Sequence, residues 1–177
     1  MTKQTGNRRI DRIRDPSYVQ GLSELALDDL RQRRDECLAE REYLSLLRRL
    51  VQGRAEILAA ELEARDSNEG SGPLVDRLST ILAGDDRPTS SRGEAVRIGV
   101  PEEEMLLARR EVERLVADAG LSDPAALGDE QLAQAVDLLA SEERKVSDTR
   151  GSVISVLDTV QDELKRRYKD DPTLALR

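Results

Sequence analysis

The chain has 177 residues, of which 38% are apolar, 36% charged and only 2% aromatic, with neither Trp nor Phe. So small a supply of bulky apolar side chains excludes the deep core of a compact α/β or β-sandwich domain and points to helices packed along their lengths. The formal net charge of -8, from 28 basic and 36 acidic residues, has the wrong sign for neutralising a DNA backbone and suits a basic protein partner, so no direct DNA binding is expected.

Histidine is absent and Cys37 is the single cysteine. That excludes intramolecular disulfides, cysteine-based zinc clusters and histidine acid–base catalysis, and leaves Cys37 as a small helix residue. No glycine-rich phosphate loop is present, so an enzyme is the least expected class, and neither cofactor nor metal is expected. No apolar run approaches the ~20 residues that cross a bilayer, and the first residues lack the apolar centre of a signal peptide; a cytosolic protein without membrane association is expected.

In chain order, the basic stretch Lys3 to Arg14, with Arg8, Arg9, Arg12 and Arg14, reads as part of a flexible tail over residues 1–20. Ser23 can cap a helix with Glu24, Asp28 and Asp29 in its first turns. Leu25, Leu30, Leu38, Leu44, Leu47, Val51, Leu58 and Leu62 recur at three- to four-residue steps interrupted by larger gaps, which predicts one long helix over about 23–65. Asp66 to Pro73 ends it with turn formers, Leu74 to Leu82 reads as a short amphipathic helix, and Gly84 to Gly99 as a loop. Pro101 opens a helix to about Ala119, stopped by Gly120, and Asp123 to Gly128 makes a turn. Asp129 caps a second long helix to about Lys169, with Leu132, Val136, Leu139, Val146, Val153, Val160 and Leu164 on its seam. Residues 170–177 read as a tail. The expected fold is all-α: a long antiparallel two-helix coiled-coil hairpin with short helices in the connection, the simplest way to bury two incomplete apolar seams of equal length.

Ser45, Arg48, Gln52 and Glu56 are spaced three, four and four apart, which at ~100° per residue puts them within a sector of roughly 80°. In the second long helix Glu143, Ser147, Arg150 and Asp158, spaced four, three and eight apart, also share a face. Superimposing Ser45 on Ser147 brings Arg48 onto Arg150 and Glu56 onto Asp158. An antiparallel pair of similar helices has an approximate twofold axis, so two copies of one stripe suit a twofold-symmetric ligand. Arginine reaches phosphate or the acceptor edge of guanine, and a carboxylate accepts from its donor edge. Each stripe therefore holds the parts for one half of a guanine nucleotide dimer. Polar faces on charge-rich helices are also commonly just solvated, with weak ion pairs.

The residues REYLSLLRRLVQGRAE (Arg41 to Glu56) and ERKVSDTRGSVISVLD (Glu143 to Asp158) resemble the E-x3-S-x2-R-x3-Q-x3-D pattern that occurs twice in the cyclic-di-GMP-responsive anti-sigma factors of the RsiG family, partners of the sporulation sigma factor WhiG. The resemblance takes in the ELALDDLRQRRDE opening and covers most of residues 21 to 168. The chain departs from the pattern at Arg41, where the family has Glu; at Glu56, where it has Asp; and at Ile154, where it has Gln. Arg41 and Ile154 are therefore not carried over. The resemblance implies that a cyclic di-GMP dimer is bound by Ser45, Arg48, Gln52, Glu56, Glu143, Ser147, Arg150 and Asp158, and that the protein sequesters a WhiG or flagellar-type sigma factor and blocks initiation. The alternative is a coiled-coil adaptor without ligand, or a homo-oligomeric structural protein.

Overall fold

The computed structural model describes residues 8–66, 100–118 and 126–176. They are helical, with no strand among the described residues: α1, Arg9–Ile13; α2, Leu27–Asp66; α3, Glu102–Asp118; and α4, Asp129–Asp170, with 3-10 turns at Pro16–Val19, Leu22–Glu24 and Pro172–Leu176. The expected helix at Leu74 to Leu82, the loop at Gly84 to Gly99 and the stop at Gly120 lie outside the described residues.

Both long helices form where the periodicity places them. Buried positions in α2 fall seven apart, at Leu30, Cys37, Leu44, Val51 and Leu58, and α4 repeats the spacing at Leu132, Leu139, Val153 and Val160, with Val146 half-buried in the same series. This is the spacing of a coiled-coil seam. Cys37 fills a seam position in full burial, whereas Leu38 and Leu62 are only half-buried.

The helix ends differ in detail from expectation. Ser23 does not cap α2: Gly21, in the left-handed region at φ 63, leads into the Leu22–Glu24 turn, and extended Leu25 separates that turn from the long helix. The Ala26 carbonyl accepts the first helical bond, from Leu30 N–H at 3.1 Å, while Asp28 and Asp29 do lie in the first turn. Pro101 is the capping residue of α3 rather than its first helical one, its carbonyl accepting from Met105 N–H at 3.0 Å. Gly128, not Asp129, caps α4. Its carbonyl accepts from Leu132 N–H at 2.9 Å, and its own N–H donates to Gln131 Oε1 at 3.0 Å, half of a capping box. Asp129 instead accepts from Arg65 Nη1 at 3.1 Å.

The chain divides into two units, a terminal one built from residues up to Ser45 and from Ser147 onward, and a central one from Leu46 to Val146. In the terminal unit Leu22, Leu30, Val160 and Leu164 form a buried cluster, with Val19, Leu25, Leu27 and Tyr168 packed against it. Full burial of one such aliphatic side chain contributes about 1.5–3 kcal/mol. Arg31 donates to Tyr168 Oη at 3.2 Å and to the Leu174 carbonyl at 2.7 Å, and Arg167 donates to the Leu22 and Leu25 carbonyls, both at 2.7 Å. The start of α2 thus lies against the end of α4, and the two segments run antiparallel. The central unit shows the same sense: Arg65, near the end of α2, meets Asp129 at the start of α4. There Leu47, Val51, Leu58, Leu132, Ala135 and Leu139 are buried, together with Ala108 and Val112 of α3.

Residues 8–20 are a correction to the flexible tail expected over 1–20. Ile13 of α1 is 1% exposed and Tyr18 is buried. Arg9 Nε meets Glu40 Oε2 at 2.7 Å, and Glu40 is 5% exposed. Asp15 opens the next turn by accepting from Ser17 N–H at 2.8 Å, ahead of Pro16 at its first position. Two anchoring side chains and an ion pair to a buried carboxylate outweigh the charge content on which the tail reading rests. At the other end, Pro172–Leu176 forms a 3-10 turn held by Arg31, where a tail was also expected.

Candidate functional site

The stripe residues all lie on α2 and α4, with Ser45, Ser147, Arg150 and Asp158 in the terminal unit and Arg48, Gln52, Glu56 and Glu143 in the central one. Gln52, Glu56 and Asp158 are exposed; the other five are half-buried.

In the central unit Arg48 Nη1 donates to Glu143 Oε1 at 3.2 Å. This joins the arginine of the first copy to the leading acid of the second. Gln52 Nε2 donates to Glu56 Oε1 at 2.9 Å, one turn along the same helix. In the terminal unit Arg150 Nε donates to Ser45 Oγ at 2.9 Å, and the Ser45 hydroxyl in turn donates to the Arg41 carbonyl at 2.7 Å. The serine thus uses both its donor and an acceptor lone pair. Arg41 turns its guanidinium to Glu42 at 2.7 Å.

These contacts follow from the departure at position 41. In the register that superimposes Ser45 on Ser147, Arg41 corresponds to Glu143. The counterpart of the Arg48–Glu143 pair would therefore set Arg150 against another arginine, and like charges do not pair. Arg150 donates to the neutral Ser45 hydroxyl instead. One copy carries a charge-compensated pair across the helices; in the other the Arg150 guanidinium reaches the Arg41 backbone carbonyl through the Ser45 hydroxyl.

Such an arrangement supplies guanidinium donors, carboxylate acceptors and hydroxyls on a water-accessible helical face, the equipment for holding an anionic nucleotide by its phosphates and base edges. Among the described residues no group of Cys, Asp and Glu could hold a metal ion, and no helix is long and apolar enough to cross a membrane. The role of the Arg41 carbonyl was not visible from residue types, because a serine inside any helix can bond the carbonyl four residues back.

No curated protein matches the chain. The RsiG-like family matches residues 16–82, a span that contains the whole first copy of the stripe. Over those residues the chain is similar to the RsiG-like family.

Proposed function

We propose that the protein is an anti-sigma factor that binds cyclic di-GMP through its two repeated motifs and holds a WhiG or flagellar-type sigma factor away from core polymerase, blocking transcription initiation. The observation that carries this reading is the family match over residues 16–82, joined to the recurrence of Ser-x-x-Arg with an acid eight residues beyond the arginine in both long helices. The ligand's phosphates call for basic partners, which Arg48 and Arg150 supply, with Arg49 and Arg54 close by in sequence on α2. Glu143, Glu56 and Asp158 accept from guanine donor edges, and Ser45, Ser147 and Gln52 complete the polar contacts. The acidic balance of the chain suits the basic DNA-binding faces of a sigma factor. In this role the protein performs no catalysis.

Isothermal titration of the full chain with cyclic di-GMP, with linear GMP dinucleotide as control, tests the ligand. Selective binding of a cyclic di-GMP dimer is expected, and replacing Arg48 or Arg150 by Ala should weaken it by about 1.5–3 kcal/mol. Absence of binding would leave a ligand-free helical adaptor whose stripes are solvated surface.

A further inference from the structure

Gly151 lies well inside α4, exposed to solvent. A Cβ built on it meets no atom within 4 Å, and among the described glycines only Gly21 has positive φ. Neither packing nor backbone geometry in the free protein requires glycine here. Glycine inside a helix is destabilising relative to alanine, so the position carries a stability cost with no counterpart in the unliganded fold.

Its place on the helix supplies one. At ~100° per residue, Gly151 shares a sector of roughly 60° with Ser147, Ile154 and Asp158, and Arg150 borders that sector. Between Ser147 and Asp158, separated by ~16 Å along the axis, this face carries only the bare backbone of Gly151 and the half-buried Ile154. The result is a low apolar strip with a hydroxyl and a guanidinium at one end and an exposed carboxylate at the other. In the first copy the corresponding positions are Arg49 and Gln52, both exposed, so the strip is confined to α4.

We propose that Gly151 and Ile154 form a stacking platform for the flat face of a nucleobase, on which Arg150 and Asp158 meet the base at its edges. This rests on the nucleotide-binding reading above and adds to it that the two copies hold their ligand differently: the α2 copy by polar contacts alone, the α4 copy by close approach of a planar ring to the helix backbone. Ile154, where the family pattern has a polar residue, then contributes an apolar contact.

The test compares Gly151→Ala and Gly151→Leu with the wild-type full chain, reading both the thermal midpoint and the cyclic di-GMP affinity. Ser152→Ala, on a different face of the same turn, is the control. The platform predicts opposite signs for the alanine variant: a higher Tm, and affinity weakened at least about tenfold, with leucine worse still and Ser152→Ala unchanged. Wild-type affinity retained in both Gly151 variants would overturn the platform while leaving nucleotide binding intact. Absence of cyclic di-GMP binding by the wild-type chain would overturn both.

Discussion

Arg48 of α2 pairs with Glu143 of α4 at 3.2 Å, whereas Arg150, which occupies the matching place in the second copy of the stripe, bonds Ser45 at 2.9 Å. The single residue behind this inequality is Arg41. It stands where a carboxylate would complete a second cross-helix pair.

Arg41→Glu should therefore restore the missing pair with Arg150. A partly exposed ion pair contributes about 0.2–1 kcal/mol, so a small rise in Tm at low salt, fading as salt is added, is expected. A lowered Tm, or a rise insensitive to salt, would show that Arg150 does not take up the new carboxylate.

Arg9 and Glu40 make the strongest claim on the stability of the N-terminal segment. Glu40 is 5% exposed and Arg9 Nε lies 2.7 Å from it. Removing the cation leaves a buried carboxylate without its guanidinium donor, which for this partly exposed pair costs about 1–3 kcal/mol. Urea denaturation of Arg9→Ala should show that loss, and a double replacement of both residues by Met should recover most of it. A loss below about 1 kcal/mol would return residues 8–20 to the role of a loosely held arm.

Cys37 is fully buried, and that burial pushes its thiol up to about 11, against an opposing hydrogen bond to the Tyr18 hydroxyl and with the nearby charges of Glu36 and Glu40 adding to the rise. Thiolate is the reactive form. The native protein should therefore react with a thiol reagent at pH 8 far more slowly than the urea-unfolded chain. Equal rates would contradict the burial of α1 and the Pro16–Val19 turn over this part of α2.

Glu163 accepts from Arg166 at 2.7 Å and Arg167 at 2.9 Å, and hydrogen bonds from the two guanidiniums, Arg166 first, hold its carboxyl at about 2, below the ordinary 4.5. A depressed carboxyl favours the fold while it is ionised. Its contribution is complete above pH 4.5 and is lost as pH falls towards 2. The stability gap between wild type and Glu163→Gln should be widest at neutral pH and close on acidification through that window. A gap independent of pH would place the effect of the substitution in packing.

How much of this was legible in the sequence varied with the kind of physics involved. The long helices were legible because a seam of one residue in seven persists from Leu30 to Leu58 and from Leu132 to Val160, and a period survives scattered charges. The N-terminal segment was not: Ile13 and Tyr18 stand alone among charged and polar residues, and the partner that neutralises Glu40 lies 31 positions away. Ser23 misled because a capping residue is recognised by type, while Gly21 and Leu25 set the backbone path. The stripe positions followed from spacing within each helix. Their pairing did not, because it depends on the lateral register of two helices, which neither helix's own spacing fixes. Thus Arg48–Glu143 and Arg150–Ser45 became visible only with the fold in hand.

The most direct test of the account is whether the full chain and a purified WhiG-type sigma factor form a complex by analytical ultracentrifugation, with and without cyclic di-GMP. The account predicts a one-to-one complex in the presence of the nucleotide, lost when Arg48 and Arg150 are both replaced by Ala. A sigma factor that sediments alone under both conditions would contradict it.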